Sequence, residues 1–138
     1  MMDKDLLKRL TNICNYPKIQ AKAIWEVGEM TNKGVIIYAG EQFSLYRKIK
    51  LANIFGDQGW YVVHDLIWLP SHYGTIEGWL KYSDYDVLKR GIMYIVPQYS
   101  NKSFEAPTLI EALIQLWMWT KHGKEWKDGE WVNYQIKE

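Results

Sequence analysis

The sequence predicts an α+β fold in which a small, mostly antiparallel sheet packs against a central helix near the C-terminal end. Runs of β-branched and aromatic residues alternate with segments of helical periodicity along the chain. Clusters of Gly, Asn and Asp separate these runs at spacings typical of hairpins. Short turns of this kind favour antiparallel pairing over a doubly wound parallel sheet.

The central helix is predicted over residues 106–122. Thr108 followed three positions later by Glu111 forms a capping box at its start, and Gly123 can adopt the left-handed conformation that ends it. Glu111 and Gln115 provide its polar side. Apolar residues cover most of the remaining circumference, which predicts packing on two sides: Leu109, Ile110, Ala112, Leu113, Ile114, Leu116 and Trp117.

A C-terminal hairpin follows the helix. Asp128-Gly129 predicts a two-residue type I′ turn, because both central residues must tolerate positive φ. This register places Lys127 opposite Glu130 as an ion pair and Trp126 opposite Trp131 as a cross-strand aromatic pair. An isolated hairpin is only marginally stable, so we expect it to dock on the helix or the sheet.

The first half of the chain predicts a short N-terminal helix and the first strands. Residues 3–14 have amphipathic periodicity and precede Pro17, which disfavours helix in the residue before it. Residues 18–29 fit either a second helix or an extended lead-in. The run 35–38 is β-branched and predicts a buried strand, whereas 43–55 fits helix and strand templates equally well and stays open.

The second half predicts two further strands. Residues 60–69 are rich in strand formers and are closed by Pro70, and residues 92–96 form a fourth apolar run. Between them, 71–89 has the pattern of one or two short helices. Residues 98–105 read as a polar connection into the central helix.

Length and composition predict one globular domain spanning 1–138. The chain has 138 residues, of which 48% are hydrophobic and 24% charged. The net charge of +1 supplies no basic field for nucleic acid, so we do not expect nucleic acid as a partner. The absence of an apolar run near 18 residues and of a signal-peptide core, together with a lone Cys14, predicts a soluble protein of a reducing cytoplasm, without membrane association.

The sequence contains one cluster of polar residues that could form a catalytic or ligand-binding site. The histidines lie outside any metal-binding spacing, and the glycines form no phosphate-binding loop, so no metal or other cofactor is expected. A small-ligand-binding or hydrolytic pocket is the alternative interpretation, since four polar residues gather near a strand end: His64, Asp65, Ser71 and His72. On a strand, however, His64 and Asp65 would point to opposite faces.

Aromatic content is the outlying feature, with 8 Trp, 10 Tyr and 3 Phe. Most of these side chains are expected in the core, but the surplus predicts an exposed aromatic patch of the kind that marks protein interfaces. The candidate binding residues are Tyr82, Tyr85, Tyr99, Met118, Trp126 and Trp131. The leading hypothesis is therefore a non-catalytic module that binds a protein, with a homodimer left open.

The segment Leu109–Trp131 resembles the ending of small uncharacterised phage and prophage proteins, especially of Bacteroidetes and Firmicutes. Those endings have a helix of the E-A-L-x-x-L-W type followed by a lysine- and tryptophan-rich G-x-x-W segment. The stretch L-I-W-L-P at 66–70 is similar to a W-L-P stretch in the same sort of protein. The resemblance implies an accessory protein of a phage or mobile element, acting on a host or phage protein in the bacterial cytoplasm.

Overall fold

A computed structural model of the protein describes residues 3–40, 47–81, 85–97 and 102–133. These residues form four α-helices and ten strands, and the strand pairs are antiparallel, which confirms the α+β class. The backbone divides into two compact units, 1–71 (the first unit) and 72–138 (the second unit). The single domain expected over the whole chain stays a prediction.

The first unit contains two helices and a five-stranded sheet in the order β4-β3-β2-β1-β5. Its elements are α1 Lys4–Cys14, α2 Pro17–Gln20, β1 Met30–Thr31, β2 Gly34–Ala39, β3 Lys48–Ala52, β4 Gln58–Val62 and β5 Trp68–Leu69. The segment 43–55, left open by the sequence, is a strand over β3, while 43–46 lies outside the described residues.

The N-terminal helix is confirmed. The Asp3 carboxylate caps α1 by accepting a hydrogen bond from the backbone N–H of Leu6 at 2.7 Å. Its apolar side is buried at Leu10, Ile13 and Cys14. Of the two readings of 18–29, the helical one applies only to the single turn of α2, and the chain then continues through turns to β1.

A core cluster of the first unit lies on one face of β2 and β3. Ile36, Ile49, Leu51 and Leu66 form a buried cluster there. The prediction of a buried strand at 35–38 is right about the strand and wrong about its burial. Only Ile36 is buried, whereas Ile37 and Tyr38 are exposed. Successive side chains of a strand point to opposite faces, and a register shift between Ile36 and Tyr38 places both residues after Ile36 on the outside.

The single strand expected over 60–69 is interrupted. β4 ends at Val62, a 3₁₀ turn covers Val63–Asp65, and β5 occupies only Trp68–Leu69. β4 and β5 lie at opposite edges of the sheet. A chain that passes from one edge to the other must leave the strand conformation, so strand propensity is overridden here.

The second unit contains two helices, a three-stranded sheet in the order β6-β7-β8, and a two-stranded hairpin. Its elements are α3 Tyr73–Leu80, β6 Leu88–Arg90, β7 Met93–Pro97, β8 Ser103–Ala106, α4 Leu109–His122, β9 Lys124–Lys127 and β10 Glu130–Asn133. The helices expected over 71–89 are therefore one helix followed by a strand. The polar connection expected over 98–105 is partly wrong, because Phe104 and Ala106 alternate into the core and make β8 a strand.

The central helix of the prediction is α4, which packs against α3, β7, β8 and β9 within the second unit. The Thr108 hydroxyl accepts from the Glu111 backbone N–H at 3.3 Å and donates to the Glu111 carboxylate at 2.8 Å. Gly123 adopts the left-handed conformation, with φ of 60°. The expected polar side is wrong at Glu111, whose side chain turns back onto the cap and is only 2% exposed.

The C-terminal hairpin has the predicted register. Asp128 and Gly129 have φ of 52° and 81°, and Trp126 pairs with Trp131. The two indole rings meet edge to face, with centroids 5.1 Å apart. β9 contacts α4, so the hairpin docks on the helix as expected.

Candidate functional site

Of the six candidate binding residues proposed from the sequence, four lie among the described residues, and one of these four is buried. Tyr82 and Tyr99 lie outside the described residues. Met118 is fully buried, so its expected exposure is wrong: α4 is covered on most of its circumference, including the side that carries Met118. Tyr85, Trp126 and Trp131 are half-buried, and the two tryptophans contact each other across the hairpin.

The alternative pocket contains one polar pair. His64 Nδ1 lies 3.2 Å from Asp65 Oδ1, because both residues belong to the 3₁₀ turn and not to a strand. The expectation that they point to opposite faces is therefore wrong. Their side chains are 72% and 65% exposed, and no hydrogen bond joins either of them to Ser71 among the described residues. His72 begins the second unit.

Metal binding and membrane insertion find no support in the described ranges. Within residues 3–40, 47–81, 85–97 and 102–133, no group of three or more His, Cys, Asp or Glu side chains could hold a metal ion. Over those same ranges, every helix is too short or too polar to cross a bilayer.

The outer face of the first unit's sheet carries a row of three side chains, which we call the aromatic row: Tyr38, Lys50 and Trp60. They lie on β2, β3 and β4 and are direct cross-strand partners. Tyr38 and Trp60 are 54% and 56% exposed, although their rings meet at a centroid distance of 5.6 Å and an angle of 74°. The Lys50 ammonium lies 5.8 Å from the Trp60 ring centroid, within the range of a cation–π contact.

A depression of about 570 Å³ adjoins the aromatic row and is lined by Lys48, Trp60, Tyr61, Val62 and Asp65. Its walls are mainly aromatic and aliphatic, with one amine and one carboxylate. Such a surface can hold an apolar or planar group and fix its orientation by charge. The lining residues include no serine, threonine or cysteine, the residues whose hydroxyl or thiol most often acts as a nucleophile beside a base.

A second depression, of about 350 Å³, lies between α1 and the turns at the far end of the sheet. Its apolar lining includes Leu7, Met30, Val35 and Ile54. It lacks the stacked aromatic rings of the outer face, and Lys4 and Lys33 are the charged residues of its lining.

The aromatic row lies outside the candidate residues predicted from the sequence. The available signal was the alternation Lys48-Ile49-Lys50-Leu51, which places both lysines on one face of β3 and predicts that this face is solvated. Tyr38 and Trp60 join that face only through the register of β2 and β4 against β3. Cross-strand register is a long-range property, so it was not visible in either run alone.

Comparison with known proteins finds no matching family model, no matching curated protein and no matching solved structure.

Proposed function

We propose that the chain is a non-catalytic protein-binding module and that the aromatic row is its binding surface. The observation that carries this proposal is the pair of large rings, Tyr38 and Trp60, which are held against each other yet are more than half exposed. Trp and Tyr are enriched among the residues that dominate binding energy at protein interfaces. Rings already packed on a sheet lose little conformational entropy when a partner covers them.

We further propose that the module is an accessory protein of a phage or mobile element that acts on a host or phage protein in the bacterial cytoplasm. The resemblance of Leu109–Trp131 and 66–70 to phage and prophage proteins supports this setting. The single cysteine, Cys14, is buried in α1 and fits a protein that relies on its apolar core and not on disulfides.

The polar residues near the aromatic row favour a protein as the partner over a hydrolysed substrate or a single-stranded nucleic acid. Hydrolysis would require a nucleophile, and the His64–Asp65 pair is exposed, with no Ser71 contact. A groove for single-stranded nucleic acid would combine stacking rings with a continuous positive track. Here Lys48 shares its depression with Asp65, so the local charge is mixed.

Affinity capture with matched variants tests the proposal. Wild-type protein, Tyr38→Ala, Trp60→Ala and a control, Ile92→Ser, would be immobilised and incubated with lysate of the source bacterium. Ile92 is an exposed apolar residue of the second unit, so it controls for a general loss of surface hydrophobicity. Captured proteins would be quantified by mass spectrometry, and circular dichroism would establish that each variant is folded.

The expected result is a protein retained by wild type and Ile92→Ser and depleted at least tenfold by Trp60→Ala. Loss of an interface residue worth about 2 kcal/mol corresponds to roughly a 30-fold change in affinity. Capture that is equal for wild type and both aromatic variants would remove the aromatic row from the proposal. Retention of a single-stranded oligonucleotide by wild type, and not by Trp60→Ala, would assign the surface to nucleic acid instead.

A further inference from the structure

The ladder between β3 and β4 is regular along its whole length. The backbone N–H of Val63 donates to the carbonyl of Arg47 at 3.0 Å at one end of the ladder. At the other end, the N–H of Asn53 donates to the carbonyl of Asp57 at 2.9 Å. Both bonds follow the same register as the strand partners between them, so the ladder contains no bulge.

The regular ladder determines which backbone groups of β4 face away from β3. In an antiparallel pair, hydrogen-bonded and non-hydrogen-bonded positions alternate. Gly59 and Tyr61 are therefore the hydrogen-bonded positions of β4. The N–H and C=O groups of Gln58 and Trp60 and the N–H of Val62 point outward, whereas the Val62 carbonyl belongs to the N-cap of the 3₁₀ turn Val63–Asp65. Among the described residues no second strand pairs with that side.

This edge lacks the protection that the other described edge strands have. Natural sheets prevent their edge strands from pairing with another chain by means of charged residues, proline, very short strands or a covering segment. β5 has two residues, and the Gln20 side-chain amide bonds both the N–H and the C=O of Trp68. β6 carries Lys89 and Arg90, β8 carries Glu105, and both hairpin strands are charged. β4 has five residues, Q-G-W-Y-V, with neither charge nor proline.

We propose that an extended peptide segment of a partner protein binds the outer edge of β4 as an additional strand. This inference rests on the proposed protein-binding function and specifies how the partner is held. In strand addition the main-chain hydrogen bonds supply affinity, and alternate side chains of the peptide supply specificity. The outward groups of Gln58 and Trp60 and the Val62 N–H are the main-chain partners, and the adjoining depression receives the alternate side chains.

The residues around the edge define the chemistry of the peptide. A peptide residue opposite Trp60 lies on the outer face beside the indole and should be aromatic or aliphatic. Two positions along, the residue opposite Val62 lies on the same face, two strands from Lys48, which is the cross-strand partner of Val62. Two strand spacings are about 10 Å, a gap that the long side chains of lysine and glutamate can bridge. Asp65 lines the same depression, so we expect one acidic residue and not an acidic run.

The same charges argue against a second copy of this chain as the occupant. Pairing β4 with another β4 would place the segment Q-G-W-Y-V beside the edge, and that segment has no carboxylate for Lys48. A peptide with the pattern apolar-x-acidic matches both the indole and the amine. We therefore assign the edge to a heterologous peptide of that pattern.

Selection from a random peptide display library against the full chain tests the side-chain pattern. Enrichment of apolar-x-acidic sequences by wild type is expected, together with enrichment of apolar-x-basic sequences by Lys48→Glu. A selected peptide, labelled and measured by fluorescence anisotropy, should bind Trp60→Ala at least tenfold more weakly than wild type. Enriched peptides that share no acidic position, or that are indifferent to Lys48→Glu, overturn the assignment of Lys48.

Backbone pairing is tested separately from side-chain contact. The N–H of Val62 points outward, so Val62→Pro removes an edge donor without removing a bond to β3. Val62→Thr keeps the N–H and the β-branched shape and is the matched control. We expect Val62→Pro to weaken peptide binding at least tenfold and Val62→Thr to change it by less than threefold. N-methylation of the peptide at alternate backbone positions should weaken binding at one set of positions only.

The N-methyl series decides the question even if Val62→Pro does not fold, because it leaves the protein unchanged. Tight binding that tolerates N-methylation at both sets of positions overturns strand addition while the protein-binding function stands. Failure to select any peptide, combined with capture of a partner that depends on Trp60, likewise overturns only the strand-addition inference. A dimer in sedimentation velocity that Val62→Pro abolishes and Val62→Thr preserves would assign the edge to a second copy instead.

Discussion

Replacement of Thr108 by valine should destabilise the second unit through the half-buried N-cap of α4. Valine preserves the shape of threonine and removes only the hydroxyl. That hydroxyl accepts from the Glu111 backbone N–H at 3.3 Å and donates to the Glu111 carboxylate at 2.8 Å. Since Glu111 is 2% exposed, water cannot easily replace either bond.

The expected loss follows from these two bonds. Removing an N-cap hydroxyl typically costs about 1 kcal/mol, and a hydrogen bond to a charged group contributes about 1.5–3 kcal/mol. The two contributions share one hydroxyl and are not additive, so we expect Thr108→Val to lower the free energy of unfolding by about 2–3 kcal/mol. Thr108→Ser keeps the hydroxyl and should cost less than about 1 kcal/mol.

A double-mutant cycle with Glu111→Leu separates the energy of the hydrogen bond between the Thr108 hydroxyl and the Glu111 carboxylate from the effect of each substitution on packing. Urea unfolding followed by far-ultraviolet circular dichroism would measure wild type, both single variants and the double variant. Once the carboxylate is gone, loss of the hydroxyl should cost about 1 kcal/mol less than it does in wild type. Strict additivity, or a loss below about 0.5 kcal/mol for Thr108→Val, would refute this account of the cap.

Three further substitutions should lower the unfolding free energy in the same urea assay. Gln20→Ala removes three hydrogen bonds, two of them to the backbone of Trp68, and should cost about 2–3 kcal/mol; a loss below about 1 kcal/mol would contradict the role of this amide as edge cover. Gly34 has φ of 148°, and Gly34→Ala would place a Cβ 2.5 Å from the Ala52 carbonyl oxygen, so this variant should cost about 2 kcal/mol or more. An unchanged free energy of unfolding would show that β2 and β3 can move apart at this position. Met118→Ala opens a cavity beneath α4 and should cost about 2–5 kcal/mol; a loss below about 1 kcal/mol would be inconsistent with its burial.

Local signals predicted the caps of α4 and the turn of the C-terminal hairpin. α4 begins beside Thr108 and ends at Gly123, and the hairpin turns at Asp128-Gly129 in the expected register. Each of these features depends on residues fewer than six positions apart: a hydroxyl and the amide three residues on, or two residues that tolerate positive φ. The breadth of the apolar surface of α4 likewise predicted that this helix packs on more than one side. Met118 is buried because the covered part of the helix surface extends to its position.

Elsewhere the local signals were incomplete. Residues 35–38 and 60–62 have strong strand propensity, which predicted strands and their apolar character. Propensity does not distinguish a strand covered on both faces from a strand covered on one face. Tyr38 and Trp60 are exposed because the buried cluster of β2 and β3 lies on the opposite face of these strands, and strand propensity does not show which face is covered.

The sequence by itself determined the α+β class, the caps of α4 at Thr108 and Gly123, the Asp128-Gly129 hairpin and the absence of a recognisable catalytic motif, because all of these depend on short-range patterns. The predicted start of the helix at residue 106 was three residues too early, because Ala106 belongs to β8. Tertiary structure alone decided that β4 lies at an edge, that Gln20 covers the opposite edge, and that Tyr38, Lys50 and Trp60 form one row. Strand order and register join residues far apart in the chain. A local pattern sets which residues can form a strand, whereas the neighbours of that strand decide which side chains and backbone groups remain available to a partner.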